Sequence, residues 1–268
     1  MPILVVGEKI NASRQEIKQA LEGRDKHYLQ DLAQKQADNG ADFIDVNVGT
    51  GKPEDEVAHM EWLVEIVQEA VDRPLAIDTV DPKVLEAGLA KHRGSALVNS
   101  VSGEERRLDS FLSLAEKYHS SCIALAMGQE GIPKRAEQRL EVCQMILRRA
   151  QQWGIGKERI YFDPLVLPLS ADPGQGLITL ETLRLIKSNI ADAKTILGLS
   201  NISYGLPKKA LINRVFLSMC LAEGLDSVIL DPLDQKLLSV LRAAEALLGR
   251  DQYCKRYLKA YREGKLTD

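Results

Sequence analysis

The sequence predicts an α/β fold, a single (β/α)8 TIM barrel, from three observations. Eight short apolar runs recur along the 268 residues. Stretches of helical period separate them, and such alternation means parallel strands joined by crossover helices. Each run also ends near a polar residue able to do chemistry. If the strands close into one barrel, those residues converge on the C-terminal rim, where this fold builds its sites. The other layout is an open doubly wound sheet, which usually has fewer strands and often a Gly-rich phosphate turn after strand one. Here the first run leads into GEKINAS, with no GxGxxG.

The first strand is ILVVGEKIN (3–11), and residues 12–24 hold an extra helical turn. A helix over 25–39 is stopped by Gly40. DFIDVNVG (42–49) follows; Asp45 and Asn47 alternate there and share a face. Over 54–71, Val57, Met60, Leu63, Val64, Val67 and Val71 form one stripe at helical spacing. Pro53 suits that helix's first turn, and Glu54, Asp55 and Glu56 suit its dipole. After LAIDT (75–79), Asp81-Pro82 opens a helix to about His92 that Gly94 closes. ALVNS (96–100), a helix over 104–119, CIALAMG (122–128) and a helix over 134–153 come next. RIYFDP (159–164) leads into a Pro- and Gly-rich loop, LVLPLSADPGQG (165–176), of the kind that frames or gates a ligand. A helix over 174–190, TILGLSNIS (195–203), a helix over 207–223, SVILDP (227–232) and a helix over 233–248 complete the eight units. Residues 250–264 add a C-terminal helix, as a barrel cap or a dimer contact. No linker, composition shift or low-complexity segment breaks the chain, so residues 1–268 read as one domain.

Bulk properties exclude several function classes. A net charge of −3 and the lack of a basic run interleaved with aromatics argue against nucleic acid and anionic membranes as partners. No apolar stretch approaches the roughly 20 residues that span a bilayer. MPILVVGEKIN has no basic n-region or cleavage site, so it reads as a strand and a cytoplasmic location is expected. Cys122, Cys143, Cys220 and Cys254 make no CxxC, and Cys143 and Cys220 read as buried, inert thiols. His27, His59, His92 and His119 make no HxxxH or HxH and fall on predicted helices, outer faces expected. No bound metal is therefore expected.

The strand ends carry Glu8, Asn11, Asp45, Asn47, Asp78, Asn99, Asp163, Asn201 and Asp231. A carboxylate after an apolar run, as at Asp78 and Asp163, must be hydrated, paired or bound to a ligand. With Asn99 and Asn201 they make a pocket that accepts hydrogen bonds and donates a few. A planar neutral heterocycle with amide and amine groups suits it. A pterin fits, because its N–H and NH2 groups donate to carboxylates and its ring O and N accept from carboxamides; a phosphate would be repelled. Local uses stand beside this reading: Asp163 as the cap of a turn, Asp231-Pro232 as the start of the last helix, Asp81 as a helix cap, and Asp45 with Asn47 as a polar layer in the mouth. Other chemistries fare worse. Lys9 is the only lysine inside an apolar run for a Schiff base. There is no GxSxG, and Ser200 in GLSNI has no evident histidine.

GEKIN (7–11), DVNVG (45–49), MEWLVE (60–65), AIDT (76–79), VNS (98–100), GIPK (131–134), DPLVLP (163–168), LGLSNIS (197–203) and LINRVFLSM (211–219) closely resemble the methyltetrahydrofolate:corrinoid protein methyltransferase family. The likeness runs from residue 3 to about 255. It extends to the folate domain of cobalamin-dependent methionine synthase and, more widely, to dihydropteroate synthases. The resemblance implies a homodimeric barrel of the pterin-binding type. Its substrate would be methyltetrahydrofolate or tetrahydrofolate, and its corrinoid would sit on a partner protein, since no DxHxxG stretch is present. It implies that Asp78, Asn99 and Asp163 hydrogen-bond the pterin, and that Asn201 contacts N5 as the catalytic residue. Met127, Gly198, Ser200 and Ile229 would line the slot, with Glu8, Asn11 and Asp45 in support. After Asn201 the chain reads SYGLPKK, closer to the methionine synthase domain, and Lys208 and Lys209 are candidates for the acidic folate tail or the partner's surface. Methyl transfer in either direction fits. Two other functions stay open: a dihydropteroate synthase-like pterin transferase, against which the acidic DPLD (231–234) counts, and a non-catalytic folate-binding or corrinoid-docking subunit.

Overall fold

The computed structural model of the chain describes residues 2–49 and 53–267. Eight parallel strands close in chain order: β1 (Leu4–Asn11), β2 (Phe43–Asn47), β3 (Leu75–Asp78), β4 (Leu97–Gly103), β5 (Ser121–Gly128), β6 (Ile160–Asp163), β7 (Lys194–Gly198) and β8 (Ser227–Leu230), with β8 pairing back onto β1. The crossovers are α1 (Gln15–Glu22) with α2 (Lys26–Asp38), then α3 (Pro53–Ala70), α4 (Pro82–Lys91), α5 (Glu105–Lys117), α6 (Ala136–Gln152), α7 (Gln175–Asn189), α8 (Lys209–Ala222) and α9 (Gln235–Leu247); α10 (Lys255–Arg262) is the added C-terminal helix. The predicted alternation and the closed barrel are both present.

Local chemistry sets the helix starts. Asp25, Asp81 and Asp234 accept from the backbone N–H groups of Tyr28, Lys83 and Leu237, each a side-chain cap worth about 1 kcal/mol. The last of these corrects an expectation: Asp234, not Asp231, caps α9, because Asp231 turns its Oδ1 to Leu233 N at 2.9 Å. The side chains of Pro53 and Glu54, expected at the start of α3, lie outside the described residues. His92 departs from the outer-face expectation, since it follows α4 and its Nε2 accepts from Leu75 N at 3.0 Å.

Two core layers position the site. Strand residues such as Ile44, Ile77 and Phe162 pack outward against the helices. Inside the barrel, Leu4, Val6, Phe43, Ala76, Leu97, Ile123, Leu125, Tyr161, Ile196 and Ile229 form a separate plug. Side chains alternate along a strand, so the residue two places beyond each plug residue faces the mouth. That rule puts Glu8, Asp45, Asp78, Asn99, Met127, Asp163 and Gly198 above the plug.

Two strand ends differ from expectation. The seventh strand stops at Gly198, and Leu199–Ser203 winds into a 3-10 turn that carries Ser200 and Asn201. The fourth runs on to Gly103, with its pairing to β5 irregular between Val98 and Val101, and the Asn99–Ser100 peptide is cis.

Candidate active site

The rim is built strand by strand. Asn11, Asn47, Asp78 and Asn99 are consecutive partners across β1, β2, β3 and β4. Asn47 Nδ2 donates to Asp78 Oδ2 at 3.0 Å, and Asn99 Nδ2 donates to Asp45 Oδ1 at 2.9 Å. Asp45 and Asn47 share the expected face, and each pairs with the side chain of another strand. Across the mouth, Asp163 Oδ1 accepts from Leu165 N at 2.7 Å. Among the described residues, Asp78 Oδ1, Asn99 Oδ1 and Asp163 Oδ2 have no hydrogen-bond partner, which leaves acceptors on three strands for a ligand.

These carboxyls are hard to ionise. Burial pushes Asp78 up to about 6, opposed by Asn47 and by the charge of Arg107. Burial pushes Asp163 up to about 7, opposed by the Leu165 N–H and Arg139. Asp45 is held well above the usual carboxylate range by burial and by the negative charge of Asp78, with Asn99 opposing. Burial also raises Glu8, with Arg14 opposing.

Glu8 reaches the rim through an irregularity. The register of β1 against β2 shifts between Gly7 and Ile10, and Lys9 N donates to the buried Gln36 Oε1 at 3.0 Å. A shift of this kind re-aims side chains near sites. Glu8 accepts from Ser200 Oγ at 3.2 Å and lies 3.8 Å from Arg14. Lys9 Nζ pairs with Asp231 Oδ2 at 3.0 Å, so the one lysine in an apolar run is engaged in an ion pair. A cavity of about 240 Å3 between β8 and α8 is lined by Glu8, Ser200, Lys209, Asn213 and Asp231.

Asn201 stands exposed on its 3-10 turn. Among the described residues its carboxamide makes no hydrogen bond, and a Cβ on Gly198 would lie 3.3 Å from Nδ2. Glycine at 198 therefore lets the carboxamide sit directly against the strand. Met127 and Ile229 are half-buried at the ends of β5 and β8. Asn11 is drawn into a local turn, its Oδ1 accepting from Ser13 N at 3.0 Å. Lys209 Nζ lies 5.5 Å from the Tyr204 ring centroid. Lys208 takes the left-handed conformation, φ +54°, before α8.

Two rim groups escaped the sequence reading. Arg14 and Arg107 supply the cations that oppose burial at Glu8 and Asp78, while Asn47, expected in the mouth, orients Asp78. Each arginine lies in or beside a polar helix, where a basic residue reads as solvated. Among the described residues no cluster of three or more His, Cys, Asp or Glu is placed to hold a metal, and no helix is long and apolar enough to cross a membrane.

The family of pterin binding enzymes matches residues 7–231. The chain is 36% identical to the methylcorrinoid:tetrahydrofolate methyltransferase of Eubacterium limosum, over 98% of each chain. It is 30% identical over 91% of its length to the methionine synthase of Mycobacterium tuberculosis, of which it spans 21%. A solved structure of Mycobacterium tuberculosis Rv1207 superposes with a TM-score of 0.65, covering 92% of this chain and 93% of that one at 15% identity, a likeness of fold alone.

Proposed function

The chain belongs to the family of pterin binding enzymes, and from that premise we propose that it is a methyltransferase acting between a corrinoid protein and N5 of tetrahydrofolate. The full-length relative is named for transfer from methylcorrinoid to tetrahydrofolate, and the proposal takes that direction. One observation carries the reading from this chain's own residues. Asp78, Asn99 and Asp163 each present an unpartnered acceptor at one mouth, with the free carboxamide of Asn201 on the same rim.

In this reading Asp78 and Asp163, ionised, accept from the pterin N–H and NH2 groups, and Asn99 completes the edge. Met127, Gly198, Ser200 and Ile229 line the slot. Glu8 and Asp45 support it through Ser200 and Asn99, and Asn11 through its turn. Lys209 meets the acidic folate tail or the partner. The partner's corrinoid, when docked, supplies the cobalt that gives up the methyl group. Asn201 is the catalytic residue because it contacts N5. Its amide oxygen accepts the N5–H as the new C–N bond makes that nitrogen positive, an interaction that strengthens with the charge. The reverse direction passes through the same arrangement: the amide oxygen holds the N5–H of the protonated tertiary amine as the C–N bond breaks. Preorganised hydrogen bonds of this type are worth about 2–4 kcal/mol.

Finer features belong to the same reading. The protein is a homodimer, supported by an apolar groove of about 370 Å3 between α7 and α8 where Leu177, Leu211 and Val215 are exposed. Light scattering tests that directly. The four free cysteines suit the reducing cytoplasm.

The decisive experiment mixes the purified protein with a methylated corrinoid protein and tetrahydrofolate under anaerobic conditions. Loss of the methyl-cobalt visible band together with formation of 5-methyltetrahydrofolate is expected. Folate binding without any change in that band would instead mark a docking subunit. Condensation of a pterin pyrophosphate with p-aminobenzoate would mark a dihydropteroate synthase-like enzyme.

A further inference from the structure

Arg139 of α6 is fully buried, and methyl transfer as described above assigns it no task. Its guanidinium makes four hydrogen bonds. Nε donates to Pro133 O at 3.0 Å, Nη1 to Pro164 O and Leu165 O at 2.9 Å each, and Nη2 to Gln175 Oε1 at 3.1 Å. Among the described residues no carboxylate forms an ion pair with it. A buried cation in that position is costly, and charge-assisted bonds to oxygens offset the cost.

Two of the contacts fall on the turn after β6. The Pro164–Leu165 peptide accepts from Arg139 through its oxygen and donates through its N–H to Asp163 Oδ1 at 2.7 Å. One peptide group thus links guanidinium to carboxylate, and each bond polarises the other. Leu165 is in the left-handed region, φ +65°, which L residues with a Cβ adopt at a cost. Its carbonyl is held there by Arg139 and by the Thr179 hydroxyl at 3.0 Å.

We propose that Arg139 is a positioning residue: its fork holds the Pro164–Leu165 peptide so that Asp163 is aimed at the pterin, and its charge favours the ionised form of that carboxyl. The inference rests on the reading that Asp163 accepts hydrogen bonds from a bound pterin. Among the described residues, the titratable groups whose fields reach Asp163 are Arg139 and the Cys143 thiol, both from α6. Burial pushes the thiol up, so it stays neutral. Gln175 and Thr179 of α7 and the Leu165 N–H carry no charge. Among the described residues Arg139 is therefore the one cation facing the buried carboxyl.

The test is a calorimetric titration with 5-methyltetrahydrofolate, from about pH 5.5 to about pH 9, of wild type, Arg139→Gln and Arg139→Lys, with a melting curve at each pH. Wild-type affinity falls as pH drops and Asp163 is protonated. In Arg139→Gln that acid limb is expected to move up by about one pH unit, a shift that loss of packing alone does not produce. Lysine keeps the charge but not the planar fork. Arg139→Lys is therefore expected to lose about tenfold in affinity at alkaline pH, with its limb close to that of wild type. A folded Arg139→Gln whose limb stays in place overturns the proposal. If Arg139→Gln does not fold, Arg139→Lys decides: wild-type affinity and limb overturn it, and weakened alkaline binding supports it. Wild type that binds no 5-methyltetrahydrofolate at any pH defeats the methyl-transfer reading itself, an outcome distinct from unmoved variants of a binding-competent protein.

Discussion

Asp78 and Asp163 set two demands against each other. Burial raises both, to about 6 and about 7, above the roughly 3.9 of an unfolded aspartate. A carboxyl raised in the folded state contributes its stability below the unfolded value, and that contribution is lost as pH climbs through about 6 and 7. The pterin needs the opposite, because only the ionised carboxylates accept its N–H groups. Affinity for tetrahydrofolate is therefore expected to rise from pH 5.5 to pH 8 while the ligand-free protein loses stability. Asp163→Asn separates the two effects. It is expected to raise the melting temperature of the ligand-free protein at about pH 8 by the equivalent of about 2 kcal/mol more than at about pH 5, where the unfolded carboxyl is already ionised and only part of the penalty is present. The same variant is expected to bind folate roughly tenfold more weakly at about pH 8, a loss of about 1.4 kcal/mol. Equal melting shifts at both pH values would show that the charge is not the cause. Asn201 is different in kind, since its carboxamide is exposed and free. Asn201→Ala is expected to lower the single-turnover rate of methyl transfer about a hundredfold, with folate affinity changed far less. A parallel loss in both would make Asn201 a binding group only.

At the scale of elements, the irregularity in β1 does the most to shape the site. Gly7 lies against Gln36: a Cβ at 7 would come within 2.5 Å of Gln36 Oε1, the same atom that accepts from Lys9 N. Gln36 is fully buried and cannot swing aside. Gly7→Ala is expected to destabilise the fold by about 1–3 kcal/mol in urea titrations. Combined with Gln36→Ala, the loss should be clearly less than the sum of the two single losses. The eight strands were legible because apolar runs bounded by turn residues repeat at βα spacing, and the rim was legible because Asp78, Asn99 and Asp163 end such runs. The turn at Leu199–Ser203 was not, since LSNIS continues the apolar–polar rhythm of TILG and nothing local marks the strand's end at Gly198. Arg107 and Arg139 were hidden for another reason. A basic residue in a polar helix reads as solvated until the loops that pack over it are known, and Arg139 is covered by segments around Pro133 and Pro164. The irregularity at Gly7 was also invisible, because its cause is a glutamine 29 positions further on, brought close only by the fold.

The whole barrel has to close where its first and last segments meet, at the end opposite the rim. Glu245 of α9 does this from a fully buried position. Its Oε1 accepts from Ile3 N at 2.7 Å, just ahead of β1, and lies 3.0 Å from Arg256 Nη1 of α10; its Oε2 takes Arg242 Nη1 at 2.9 Å. Arg250 Nη1 adds a bond to Leu225 O ahead of β8, and Asp251 accepts from the N–H groups of Arg256 and Tyr257. The C-terminal helix is thus a clamp on the seam between β8 and β1, and among the described residues none of its hydrogen bonds or ion pairs reaches the mouth. Removing the carboxylate strands a buried N–H and leaves Arg242 without its ion pair, but Arg256 keeps Asp251 at 3.7 Å, and both arginines are partly exposed and can hydrate. The loss is therefore expected near the lower end of the 3–5 kcal/mol range for broken buried pairs. Glu245→Ala should lower unfolding stability by about 3 kcal/mol. Glu245→Gln keeps an acceptor for Ile3 N and should lose about half as much. Methyl transfer by folded protein well below the melting temperature should be unchanged in both. Equal losses for alanine and glutamine would make the charge, and not the bond to Ile3, the element that closes the barrel; a fall in transfer rate would show that the seam and the rim are coupled through β1.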